Sequence, residues 1–98
     1  MSGGDWKAMF KGIQEGDLEL VKYYLKMGID PNYQHPEYMA APLIESIRYN
    51  QLDITKLLLE NGADPEIKEV IGSETPLVIA NRLKNPQAVE LLNQYIQQ

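Results

Sequence analysis

The chain has 98 residues, of which 44% are hydrophobic and 23% charged, the composition of one globular domain and not of a disordered segment. Its formal charge is −5, from 14 acids and 9 bases, which argues against nucleic-acid or anionic-lipid binding because both need clustered Lys and Arg. There is no cysteine, so neither a disulfide framework nor a thiolate zinc site can form.

No apolar run approaches the ~20 residues that span a bilayer. The opening Met-Ser-Gly-Gly-Asp lacks the basic and apolar regions of a secretory signal. With the absence of cysteine, these features fit a cytoplasmic chain. Residues 1–5 read as a disordered start or a cloning remnant, which places the domain at 6–98. A domain of this size buries only about 60–70% of its unfolded surface, so the core is expected to be thin.

In chain order, Asp5 can cap a helix over about 6–15, where Trp6, Met9, Phe10 and Ile13 form one apolar stripe at three- and four-residue spacing. Gly16 ends it, and Asp17 caps a second helix over about 18–27, with Leu18, Val21, Tyr24 and Leu25 on its inner face. Gly28 falls where a helix end needs a left-handed residue. Residues 29–40 contain Pro31 and Pro36 and read as an extended finger. Pro42 suits the first position of a third helix carrying Leu43, Ile44, Ser46 and Ile47. Asn50-Gln51 breaks that helix, residues 52–61 form the next, and Gly62 stops it. Residues 63–74 make a second finger. Thr75-Pro76 and Asn85-Pro86 each supply a cap followed by a proline, opening the last two helices, the final one over 86–97.

These elements repeat. Leu18 recurs as Leu52 and Gly28 as Gly62, both 34 residues on, and a weaker third copy begins at Lys84. A fixed period of 20–50 residues marks a stacked-repeat architecture. The units fall at about 6–40, 41–74 and 75–98. The last helix is more polar than its counterpart, as a terminal repeat must be for solubility. Together with the acid-capped first helix, this suggests a complete unit.

Two short helices, a glycine stop, an Asp in the turn and a Thr-Pro-Leu opening resemble the ankyrin repeat. The best match is the run A-P-L-I-E-S-I-R-Y-N-Q-L-D-I-T-K-L-L-L-E-N-G-A-D-P-E over residues 41–66, supported by T-P-L-V-I-A over 75–80 and L-E-L-V-K-Y-Y-L-K-M-G-I-D-P-N over 18–32. The period is one longer than the usual 33 of that family, so the extra residue is expected in the fingers. Asn50 and Lys84 stand where the family often has Gly, Ile44 and Val78 where it has His, and the first finger lacks the late glycine that the second has in Gly72. Tetratricopeptide repeats also have a 34-residue period, but the proline-bearing fingers and G-x-D-P turns disfavour them.

The resemblance implies an all-α solenoid of three helix-turn-helix repeats with hairpin-like finger loops and a concave groove. Projected onto this chain, the groove positions of the first helices are Lys11, Gln14, Glu15, Glu45, Arg48, Tyr49, Ile79, Arg82 and Leu83. The fingers contribute Tyr33, His35, Glu37, Tyr38, Met39, Glu66, Lys68, Val70, Ile71 and Glu74. Tyr and Arg are enriched at binding hot spots, so the expected contact set is Tyr33, Tyr38, Glu45, Arg48, Tyr49 and Arg82, with Tyr33 and Tyr38 open to a second role as local packing. Val70-Ile71 reads either as a docking knob or as the inward side of a hairpin.

Catalytic chemistry has little to work with. His35 is the only histidine, and neither a phosphate-binding loop nor a dinucleotide fingerprint is present. Asp30 and Asp64 recur in register, which marks a structural bond to nearby backbone amides. The expected function is therefore non-enzymatic, with no cofactor and no metal. The chain is read as a monomeric protein-protein interaction module, an adaptor or a mask, whose partner carries a basic surface. The alternative is a stand-alone inhibitor or immunity-type regulator of a partner enzyme.

Overall fold

Apolar stripes and their stop signals divide this computed structural model, which describes residues 3–96, into six helices among the described residues. They are α1 (Gly3–Glu15), α2 (Leu18–Lys26), α3 (Pro42–Arg48), α4 (Leu52–Glu60), α5 (Pro76–Arg82) and α6 (Pro86–Ile96). No strand forms among the described residues, and the fold is all-α as expected. Consecutive helices pair, while α1, α3 and α5 pack side by side in one layer and α2, α4 and α6 in a second.

The start of α1 differs from expectation. Gly3, Gly4 and Asp5 belong to the helix and not to a disordered leader. Asp5 therefore lies in the first turn and is not the cap. Its carboxylate still meets the positive end of the helix dipole there. Met1, Ser2 and the expected helical residue Gln97 lie outside the described residues.

The other caps form as the residue types dictate. Asp17 Oδ1 accepts from the Leu20 N–H at 3.1 Å, Thr75 Oγ1 from Val78 at 3.3 Å and Asn85 Oδ1 from Ala88 at 3.1 Å. Asp30 and Asp64 accept from the N–H two residues on, at 2.8 and 2.9 Å, which are the recurrent turns anticipated above.

The helix stops are left-handed. Gly28 and Gly62 have φ of 98° and 94°. A Cβ placed on Gly62 would meet nothing within 4 Å, so the requirement there is purely one of backbone conformation. The family-glycine position is left-handed in every repeat, with φ of 76° at Gly16, 53° at Asn50 and 55° at Lys84. Met39 and Ser73 are likewise paired at 49° and 53°, while Gly72, at 88°, adds a left-handed residue that its counterpart Tyr38 does not match.

Packing is densest in the middle unit, where residues 41–47 are all buried. The expected stripe Trp6, Met9, Phe10 and Ile13 closes one side of the core, and Ile79 and Ala80 the other. Two hydroxyls lie inside this apolar mass. Ser46 Oγ donates to the Leu43 carbonyl at 2.6 Å and meets Thr55 Oγ1 at 2.7 Å, so neither is stranded.

Side-chain amides staple adjacent units. Asn32 Nδ2 donates to the Gly62 carbonyl at 3.0 Å while its Oδ1 accepts from the Asp64 N–H at 2.7 Å. Gln34 does the same one turn further out, donating to the Lys68 carbonyl and accepting from the Val70 N–H, both at 2.9 Å. These double bonds fix the register of the second finger against the first.

Leu58 is fully buried on α4, between the outer helices of both neighbours. Leu58→Ala is expected to lower stability by about 2–5 kcal/mol, read from a urea midpoint shift at unchanged slope. Substituting Gly62 by Val should destabilise more than substituting it by Asn, which tolerates the left-handed region. Conversely, Lys84→Gly should be neutral or stabilising by up to about 1 kcal/mol, because glycine adopts this conformation without strain. Thermal melts of the three variants decide both points.

Candidate protein-binding face

The centre of the first-helix layer is organised by a carboxylate from the second finger. Glu69 is only 6% exposed and points inward, where its Oε2 accepts from the Ala41 N–H at 3.0 Å. That bond anchors the entry to α3, whose Ala41 has no side-chain oxygen to cap with. The same carboxylate takes the Arg48 guanidinium in a two-pronged pair, one prong at 2.9 Å. Glu45 completes the arrangement, accepting from Arg48 Nη1 at 3.2 Å and from Gln14 Nε2 at 2.8 Å. Hydrogen bonding to Glu69, foremost, raises the Arg48 pKa above its ordinary value against the opposing effect of burial.

This network corrects two expectations. Glu45, expected at the contact surface, is 7% exposed and carries a structural role between α1 and α3. The reason is stacking, because α1 closes over the side of α3 on which it sits. Arg48, expected as a contact residue, has a structural role as the counter-charge of Glu69. The guanidinium remains part-exposed at the surface.

The remaining expected residues divide clearly. Tyr33 and Tyr38 are half-exposed, and each lays a ring against Trp6, edge-on at 6.3 Å for Tyr33 and tilted at 5.6 Å for Tyr38. Tyr38 also packs on Phe10 at 5.4 Å, and Trp6 Nε1 donates to the Tyr33 carbonyl at 3.0 Å. Both tyrosines thus close the first finger over α1 while keeping one side in solvent. Tyr49 is 50% exposed, and its side chain has no hydrogen bond, ring contact or ion pair among the described residues. Arg82 pairs with Glu74 at the base of the second finger. Ile79, projected into the groove, is buried, whereas Leu83 and Val78 are exposed.

Val70 and Ile71 are 65% and 69% exposed. The one-in, one-out alternation of a strand does not apply, because this segment is a turn. Its inward residue is Glu69. Outside the central network, Lys7 Nζ reaches Glu37 Oε2 at 3.0 Å, and hydrogen bonding to Lys7 lowers the Glu37 pKa below the usual carboxylate range.

Glu69 escaped the sequence reading because it lies in a mixed-charge loop. One signal could have found it: a helix opening at Ala41-Pro42 with no capping side chain.

No group of three His, Asp or Glu residues among the described residues could hold a metal ion, and no helix there is long and apolar enough to cross a membrane. What the fold and this face define is a stacked helix-pair repeat protein. The chain belongs to the ankyrin-repeat family: residues 8–98 match the family described as ankyrin repeats in three copies. It is 35% identical over 72 residues to the 2-5A-dependent ribonuclease of Homo sapiens, covering 74% of this chain and 10% of that protein. It is 35% identical over 81 residues to an ankyrin repeat-containing protein of Schizosaccharomyces pombe, covering 83% of this chain and 37% of that one. Against the human ARF GTPase-activating protein GIT1 the identity is 30% over 86 residues, covering 88% of this chain and 11% of the relative. The chain therefore spans a small part of the length of these relatives. Ankyrin repeats are a non-catalytic fold that binds other proteins.

Glu69→Ala should destabilise the fold by about 2–3 kcal/mol, since it strands the Ala41 N–H and removes the counter-charge of Arg48. The figure lies below that of a wholly buried pair because Arg48 reaches water. Glu69→Gln keeps an acceptor for Ala41 and should cost less. Urea denaturation of both variants tests the order.

Proposed function

We propose that this chain takes a protein partner on the concave side of its first-helix layer, working as an adaptor or by masking. The observation that carries the reading is Tyr49, a half-exposed aromatic with no partner of its own, at the middle of that layer. Leu83 occupies the same register position one repeat on and is also exposed. Tyr33 and Tyr38 present their free edges from the first finger. Exposed apolar groups such as Tyr49 and Leu83, outside the packed core, suit desolvated anchors at the centre of an interface.

Within this reading Arg48 and Arg82 contact the partner through whatever donor capacity Glu69 and Glu74 leave them. Glu45 acts only by holding Arg48 in place. The net charge of −5 favours a partner with a basic surface overall, through the rate of encounter. The chain acts as a monomer in the cytoplasm, and neither a cofactor nor catalysis is required.

The test separates anchors from rim charges. With a captured partner, Tyr49→Ala should speed dissociation at least tenfold, the effect of losing a central anchor. Glu66→Ala should chiefly change the association rate and its salt dependence. If Tyr49→Ala leaves dissociation unchanged while the circular-dichroism spectrum is intact, the concave-face reading fails. Attention then moves to the outer helices at Lys22, Tyr23 and Lys56.

A further inference from the structure

The mouth of the groove at the first repeat contains a cavity of about 510 Å³ between α1 and the first finger. Lys7, Lys11 and Gln14 line it from one stripe of α1, and Ala8, Phe10 and Tyr38 supply apolar wall. Three facts bear on what it holds. First, Lys11 is exposed and has no ion pair among the described residues. Second, the neighbouring ammonium of Lys7 already receives a carboxylate, that of the exposed Glu37, at 3.0 Å. A carboxylate is thus seated on the same stripe of α1 one turn before Lys11, and among the described residues only Lys7 of the two lysines has one. Third, the side chain of Gln14 is committed to Glu45. The donors left at the cavity include the free ammonium of Lys11 and the hydroxyl of Tyr38.

We propose that this cavity receives an acidic side chain of the partner, its carboxylate on Lys11 and the apolar side chain beside it laid against Tyr38. The inference rests on the concave-face reading and names the chemistry of one end of that groove. A net charge of −5 does not oppose it, since salt screens exposed charges beyond about 8 Å under physiological conditions and the contact with Lys11 is shorter. The rest of the partner can still be basic: long-range charge governs encounter, and the local pair fixes register.

The probe is the blocked hexapeptide acetyl-Glu-Phe-Glu-Phe-Glu-Phe-amide, compared with its Gln-for-Glu analogue by amide chemical-shift titration of the folded chain. The acidic peptide should shift the amides of Lys7, Lys11, Gln14 and Tyr38. The neutral analogue should bind about fivefold more weakly, the loss expected for one exposed ion pair. Lys11→Glu should weaken the acidic peptide at least tenfold and leave the neutral one unchanged. Lys11→Gln serves as the second variant if charge reversal disturbs folding, and Lys56→Glu on α4 should have no effect. Equal affinity of the two peptides, or no shifts at millimolar peptide, overturns the acidic pocket. If both peptides instead perturb Tyr49 equally, the concave-face reading stands without the pocket. If both perturb only Lys22, Tyr23 and Lys56, the two readings fall together.

Discussion

Residues 41–47 are buried without a break, so α3 is a helix with almost no solvent face. An isolated helix pair exposes one side of each helix and is amphipathic accordingly. A helix buried all round needs neighbours on every side. Here α1 and α5 flank it, α4 lies behind it, and Glu69 of the second finger closes its N-terminal end. The outer repeats are thus a condition for the middle one, as in any stack whose units cannot bury their own apolar faces. Full burial also dictates the polar chemistry. Ser46 must meet Thr55, and Glu45 must meet Gln14 and Arg48, because an unmatched group there would bear its whole desolvation cost.

The same constraint sorts the charges of the groove. Arg48 is shared by the buried Glu45 and Glu69, Arg82 is held by Glu74, and Lys7 by Glu37. Their electrostatic work is largely internal, and their contribution to a partner is correspondingly reduced. Lys11, Glu15, Glu66 and Lys68 are exposed and carry no ion pair among the described residues, and Lys11 shares a cavity wall with Tyr38. If this face takes the partner, as proposed, discrimination falls to a few free charges and the exposed apolar groups. A count of acids and bases along the chain does not show that.

Local signals in the sequence were sufficient for the helices. Asp17, Thr75 and Asn85 cap because their short oxygens reach the next turn. Gly62 stops a helix because only a left-handed residue can, and the two Asp-Pro turns close by side-chain bonds. Each depends on residues within a few positions, so spacing alone reveals it. What spacing concealed was long-range. Glu69 reaches Ala41 and Arg48 across the stack, and no local rule distinguishes it from the solvated Glu66 or Lys68 in the same loop. The placement of Glu45 failed for the same reason, since burial of a helix face by the previous repeat is a property of the stack. The left-handed Asn50 and Lys84 lie between these cases: the repeat register anticipates the conformation, while the residue types alone do not.

Tyr49 and Leu83, on the face proposed to bind, illustrate how such a role can be separated from stability in this fold. Each is the C-cap of a first helix, with its N–H donated to the carbonyl four residues back. Each is followed at once by a left-handed residue, Asn50 or Lys84, which turns the chain toward the outer layer. Backbone bonds and the turn set the direction in which each Cα–Cβ bond leaves the chain, and no side-chain hydrogen bond, ring contact or ion pair fixes the rest among the described residues. The fold therefore gains little from the exposed halves of these side chains, whereas a partner taken on this face would meet them on a fixed backbone. Such a backbone spares association the cost of ordering a loop, and only the side-chain rotamers remain to be immobilised. Glu45, Ser46 and Glu69 are placed the other way, committed inside the stack and unable to change without unsettling it. Divergence of partner choice within this architecture can then proceed at the C-caps and fingertips while the buried network holds the frame.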